Sequence, residues 1–241
     1  MESSNAKITL FALPFAGGSK YSYNILKNAM PESIVFFPIE LPGRGTRMRD
    51  ALLSDIHDLV DDIYNQIKDY LHQPYALYGH SMGTALVYLL TIRIIKEKEP
   101  APSHLIVSGR GAPSCKNDKI RHLMPKDQFK DELIALGGIP AELIEDEGVM
   151  DFLEPILRSD FQAIETYQYT AANPLHIPIT VLMGKDDTPT MKDITQWQLE
   201  TVIPINIHQY PGGHFFIFNH LQQITDLMEN TLLSNRKVSY D

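Results

Sequence analysis

Tyr75-Ala76-Leu77-Tyr78-Gly79-His80-Ser81-Met82-Gly83 runs from a short apolar segment into a glycine-flanked turn, and from Met82 to about Lys96 apolar residues then occupy most sides of a helical pattern. A strand that turns this sharply into a helix holds the corner residue in a strained backbone conformation. Glycines two positions to either side remove the Cβ atoms that would collide there. The serine hydroxyl then stands at a helix N-terminus, where developing negative charge is favoured. Strand, turn and helix in this order make Ser81 a candidate nucleophile.

Outward from this stretch, Lys7 to Leu13 and Ile34 to Pro38 read as buried strands, the first ending in the glycine-bearing loop Pro14-Phe15-Ala16-Gly17-Gly18. Between Ser54 and Leu71, the residues Ile56, Leu59, Val60, Ile63, Ile67 and Leu71 recur at helical spacing and predict an amphipathic helix. Leu105 to Val107, Ile179 to Met183 and Ile205 to His208 supply three more strands, and Leu221, Ile224, Met228 and Leu232 mark a terminal helix. Strands alternating with helices predict an α/β fold with a mostly parallel sheet covered on both faces. The alternation breaks between about Ala112 and Ala172, an interval with helical patterning (Phe129, Leu133 and Leu136 share a face) and no convincing strand. We expect one domain, residues 1–241, with this interval inserted as a helical lid over the strand ends.

The bulk properties narrow the function. A chain of 241 residues that is 44% hydrophobic and 21% charged is ordinary for a globular protein with a sizeable core. Its formal net charge of -9 argues against nonspecific binding to nucleic acid or anionic membrane. With Cys115 as the single cysteine, neither an internal disulfide nor a cysteine-based zinc site is available. No metal-binding motif, P-loop or dinucleotide fingerprint occurs, so no cofactor is expected. No stretch has the pattern of a signal peptide or the length of a membrane span, and we expect a cytoplasmic monomer.

A serine hydroxyl needs a base to take its proton. His214 is the best placed of nine histidines, because Gly212-Gly213-His214 follows the last strand and precedes the last helix. The acid that orients such a base belongs in the loop after the preceding strand, Gly184-Lys185-Asp186-Asp187. Asp187, third beyond Gly184, is better able to turn toward the base loop, and Asp186 is its competitor. The oxyanion formed on attack calls for two backbone donors. The Met82 amide is one, and the loop after the first strand offers the other, with Ala16 first and Phe15 next. His80 and His220 are assigned no proton transfer.

Taken together, these motifs resemble the type II (external, editing) thioesterases that serve nonribosomal peptide and polyketide synthases. The resemblance runs from Pro14-Phe15-Ala16-Gly17-Gly18 through Leu41-Pro42-Gly43-Arg44-Gly45-Thr46-Arg47 to Gly79-His80-Ser81-Met82-Gly83. It continues in Gly137-Gly138-Ile139-Pro140 and Leu157-Arg158-Ser159-Asp160-Phe161 and ends at Gly212-Gly213-His214. It implies an α/β-hydrolase fold with an inserted helical lid, and hydrolysis of acyl groups from the phosphopantetheine arm of carrier proteins. Ser81 would then be the nucleophile, His214 the base and Asp187 the orienting acid. Thr84 departs from the family, which commonly has glycine or alanine there, and would tighten packing near the site. Arg44 and Arg47 match family positions and are expected to fix a loop. An esterase or lipase, or a non-catalytic acyl-binding protein of the same fold, is the alternative.

Charge within the expected lid is lopsided. Lys116, Lys119, Arg121, Lys126 and Lys130 face only Asp118 and Asp127 in their segment, whereas Asp131 to Glu154 carries eight acids and no Lys or Arg. Carrier proteins of these systems are commonly acidic, so the basic half, through Lys116, Lys119 and Arg121, is the expected carrier contact.

Overall fold

The computed structural model describes residues 7–115 and 119–234. Six strands form one sheet: β1 (Ile8–Leu13), β2 (Ile34–Pro38), β3 (Tyr75–His80), β4 (Leu105–Ser108), β5 (Ile179–Gly184) and β6 (Asn206–Tyr210). Their spatial order is β2-β1-β3-β4-β5-β6, and every neighbouring pair is parallel. Position in the sheet explains the sequence of each strand. Every residue of β3 and β5 is buried, which is why both read as unbroken runs, while the edge strands β2 and β6 expose part of theirs.

Side chains alternate between the two faces of the sheet. Phe11, Leu13, Leu77, Val107 and Val181 pack with α2 (Ile56–Ile67) and α3 (Met82–Lys96). Leu10, Ala12, Tyr78, Ile106 and Leu182 pack with α1 (Asn24–Ala29) and the terminal helix described below. Asp55 opens α2 by accepting the His57 amide at 2.7 Å, an N-cap that fixes where the apolar spacing begins. The helix ends at Ile67, and its last expected turn tightens into a 3-10 segment over Lys68–Tyr70. β3 runs two residues beyond its apolar stretch, because Gly79 and His80 pair with Val107 and Ser108 of β4.

Among the described residues three α-helices lie between β4 and β5, after a 3-10 turn at Arg121–Leu123: α4 (Lys126–Leu136), α5 (Ala141–Glu145) and α6 (Glu147–Glu165). Among the described residues this interval holds no strand. The helices share an apolar cluster separate from the sheet's two layers: Phe129, Leu133, Ile144, Met150, Leu157 and Phe161. Beyond β5 come α7 (Met191–Thr195), opened by a Thr190/Asp193 capping box, and finally α8 (Leu221–Ser234).

Candidate active site

Ser81 occupies the corner between β3 and α3 with φ 55° and ψ -116°, a left-handed conformation that a serine adopts only where its surroundings enforce it. Its amide donates to the Ser108 carbonyl of β4 at 2.8 Å. A Cβ at Gly79 would lie 2.1 Å from the Gly83 carbonyl oxygen, and one at Gly83 would lie 2.3 Å from that of Leu13. Any larger residue at either position would open the turn.

His214 follows β6 on a loop pressed against the end of β5. A Cβ at Gly184 would come within 2.5 Å of the Gly212 and Gly213 carbonyl oxygens. From there the imidazole reaches both partners: Nε2 lies 2.9 Å from Ser81 Oγ, and Nδ1 lies 3.0 and 3.1 Å from the two oxygens of Asp187. The side chains are only 9% (His214) and 1% (Asp187) exposed. A carboxylate can only accept, so it holds the proton on Nδ1 and leaves the Nε2 lone pair for the serine hydroxyl. Asp187 itself is oriented by the Thr188 amide at 2.7 Å.

The competing aspartate has a different place. Asp186 accepts the Gly212 amide at 3.2 Å and donates its own amide to the Gly212 carbonyl at 3.1 Å. It braces the backbone of the base loop and does not contact the imidazole.

Met82 and Ala16 line the cavity that contains Ser81 and His214, and among the described residues neither backbone amide has a hydrogen-bond partner. Phe15 lies behind, its ring against Tyr23, His80 and Phe215. The loop carrying Ala16 is clamped from two sides. Gly17 donates to Asp160 Oδ2 at 2.8 Å, and Arg44 binds the same carboxylate twice, at 2.5 and 2.8 Å, while also reaching the Gly18 carbonyl at 3.4 Å. Arg47 pairs with Asp62 at 2.7 and 2.8 Å and with Asp50 at 2.8 Å, and so holds the Pro42–Gly45 loop against α2. Asp160 was missed from the sequence. Its one signal is an acid flanked by Leu157, Phe161 and Ile164 on the apolar face of a helix.

His80 is fully buried, with its ring 5.0 Å from that of His214, and its Nδ1 lies 2.8 Å from Ser108 Oγ. Burial, reinforced by His214, pushes its pKa well below the ordinary histidine value, so it stays neutral. His220 donates Nε2 to the Pro211 carbonyl at 2.9 Å, just ahead of α8. Thr84 ties three elements together, its Oγ1 lying 3.0 Å from the carbonyl oxygens of both Gly79 and Ser108.

The cavity over Ser81 measures about 290 Å³ and extends over the end of β4 toward Phe161 and Ile164 of α6. A second, apolar cavity of about 240 Å³ shares Ala16, Leu136 and Phe161 with it and continues under α4. Among the described residues no group of three or more His, Cys, Asp or Glu is placed to hold a metal ion, and no helix is long and apolar enough to cross a membrane.

The basic segment of the insertion differs from its expected role. Arg121 lines the cavity with only 11% of its side chain exposed, and it bonds Glu132 at 3.0 Å and Glu165 at 3.5 Å. It is therefore withdrawn as a surface contact, because its charge is neutralised within the insertion. Lys119 also bonds Glu132, at 2.6 Å, and Lys126 and Lys130 both bond Glu147. Basic and acidic segments thus compensate each other. Lys116 lies outside the described residues.

Residues 8–232 match the thioesterase domain family. This chain belongs to that family. The thioesterase is 34% identical over 230 residues to the gramicidin S biosynthesis protein GrsT of Aneurinibacillus migulanus, covering 94% of this chain and 89% of GrsT. A crystal structure of ClbQ from the colibactin NRPS/PKS pathway superposes with a TM-score of 0.90 at 30% identity, covering 97% of this chain and all of ClbQ. The type II thioesterase BorB from the borrelidin biosynthetic cluster superposes at 0.86 with 31% identity, covering 94% and 93% of the two chains. The thioesterase therefore has the α/β-hydrolase fold of these neighbours.

Proposed function

We propose that the protein is a serine thioesterase that hydrolyses acyl groups from the phosphopantetheine arm of carrier proteins, an editing activity in nonribosomal peptide or polyketide synthesis. The observation that carries this reading is the unbroken hydrogen-bonded chain Ser81–His214–Asp187 beneath a helical insertion. The names of the relatives supply the pathway class. The arm and its acyl group enter as substrate, and the partner is an acyl or peptidyl carrier protein.

The steps follow from the geometry. Ser81 Oγ attacks the thioester carbon as His214 Nε2 takes its proton, and Asp187 stabilises the imidazolium that forms. The carbonyl oxygen becomes an oxyanion and accepts the Met82 and Ala16 amides. Collapse breaks the C–S bond, and the departing thiolate receives the proton from His214. Water then attacks the acyl-serine, passes a proton to His214, and the acid leaves as Ser81 regains its hydrogen. Every step uses side chains and backbone amides of this protein and water. The insertion α4–α6 acts as the lid, and the carrier contact expected from the sequence is proposed at Lys116 and Lys119, the latter half exposed although it also bonds Glu132.

Turnover of a panel of acyl-loaded carrier proteins by wild type and by Ser81→Ala tests the reading, with a fluorophosphonate adduct at Ser81 as an independent report of an activated hydroxyl. Release of free acid by wild type and none by the variant is the expected result. Matched esters cleaved faster than thioesters would point to an esterase instead. An unreactive Ser81 would favour a binding protein.

A further inference from the structure

Arg110 lies between Gly109 and Gly111 directly beyond β4 and lines the cavity over Ser81. Its loop is pinned at both ends, with the Gly109 amide on the Leu182 carbonyl at 3.1 Å and the Ala112 amide on that of Asp193 at 3.2 Å. The neighbouring strand residue, Ser108, accepts the Ser81 amide. The arginine is thus fixed two residues from the backbone that holds the nucleophile.

Its partners distinguish it. Arg44, Arg47, Arg93, Arg121 and Arg158 are all buried or partly buried, and each has a carboxylate within 3.0 Å. Arg110 is partly buried too, yet among the described residues its guanidinium donates no hydrogen bond and forms no ion pair. Only its carbonyl is engaged, by Trp197 Nε1 at 3.2 Å. The nearby acids are committed elsewhere: Glu165 to Arg121 and His122, and Asp193 to Thr190 at the start of α7. Burial and the adjacent Arg121 lower its pKa to about 10, so it still carries its charge at neutral pH. A planar cation with five donors, lining this cavity with Glu165 near enough to act on its charge but with no carboxylate bonded to it, is well matched by a bidentate carboxylate.

We propose that Arg110 forms a subsite for acyl groups that bear their own carboxylate a few bonds from the thioester carbonyl, such as the monothioesters of short dicarboxylic acids. The inference rests on the reading of Ser81 as the attacking group. With the thioester at Ser81, a carboxylate two or three carbons further along the acyl chain falls in the same cavity. The phosphate of the carrier's arm is a whole pantetheine chain away from the sulfur and is the poorer match.

The test uses N-acetylcysteamine thioesters, which lack any phosphate, of malonic and butyric acids, with wild type, Arg110→Met and Arg110→Lys. The ratio of kcat/KM for malonyl over butyryl should fall at least tenfold in Arg110→Met, mainly through KM, and recover in part in Arg110→Lys. Free malonate should compete with butyryl thioester in wild type and not in Arg110→Met. An unchanged ratio, or no competition by malonate in wild type, overturns the proposal. So does a loss that appears only between pantetheine and 4′-phosphopantetheine thioesters, since that assigns Arg110 to the phosphate. Labelling of Ser81 by fluorophosphonate in Arg110→Met establishes that the variant is folded. Failure of wild type to cleave any of these thioesters would instead reject the thioesterase mechanism itself.

Discussion

Arg44 and Asp160, 116 residues apart in sequence, form a bidentate ion pair whose side chains are 3% and 0% exposed, and the same carboxylate holds the Gly17 amide. The pair joins the loop after β2 to helix α6 and, through Gly17, positions Ala16. A helix of the insertion thereby sets the placement of the loop that carries Ala16, the proposed oxyanion donor.

Breaking this pair should be costly. Asp160→Asn leaves a buried guanidinium without its counter-charge and should lower unfolding stability by about 3–5 kcal/mol, measured by denaturant titration. The double variant Arg44→Met/Asp160→Leu should recover much of that stability, because two desolvated charges disappear together. It should remain slow, with kcat lowered more than KM is raised, since the Gly17 amide still lacks its acceptor. Full recovery of kcat in the double variant would show that the clamp has no part in positioning Ala16.

The two adjacent aspartates should separate cleanly in kinetics. Asp187→Asn removes the acceptor that fixes the His214 tautomer and should reduce kcat by about 10⁴-fold. Asp186→Asn keeps an oxygen for the Gly212 amide and should reduce kcat by less than about tenfold. Steady-state rates on one acyl thioester decide between them, and the reverse order would move the triad acid to Asp186.

Thr84→Val keeps the shape and removes the hydroxyl that serves the Gly79 and Ser108 carbonyls. With the residue fully buried, a loss of about 1–3 kcal/mol is expected by denaturant titration. The threonine acts through these bonds more than through the bulk anticipated from its β-branch.

Acid should destabilise the protein well before its carboxylates are protonated. Burial holds His104 at about 4 and also pushes His80 well below its ordinary value, so both stay neutral in the folded chain while the unfolded chain takes up protons near pH 6.5. The unfolded state then binds more protons, and stability is complete above about pH 6.5 and falls as pH drops toward 4. His104 alone contributes roughly 3 kcal/mol across that window. Denaturation midpoints at pH 7.5, 6 and 5 should decline in wild type and decline less steeply in His104→Gln. Equal slopes would remove His104 as a cause.

The strands, a mostly parallel sheet and the Ser81–His214 relationship were legible because each depends on local pattern: apolar runs, alternation of strand and helix, and glycines where backbone must pass close. Asp187 over Asp186 was readable only as a preference, since both follow the same strand and only the path of the turn separates them. Helices α1 and α7 escaped because they are one to two turns long, too short for spacing to register. The charge pattern of the lid misled, because sequence shows the signs of Arg121 and Glu132 and not that folding pairs them. Arg110 offered a faint signal, an arginine between glycines at the carboxyl end of a central strand. That it lacks a partner is visible only in three dimensions.

The order β2-β1-β3-β4-β5-β6 has a bearing on synthesis of the enzyme as well as on its action. Ser81 emerges early, but the imidazole bonded to it arrives 133 residues later, on the loop that follows β6, the strand paired with β5. A partly translated chain therefore carries Ser81 without its His214 partner. On the proposed mechanism such a chain cannot act on loaded synthase arms until the last strand closes the sheet.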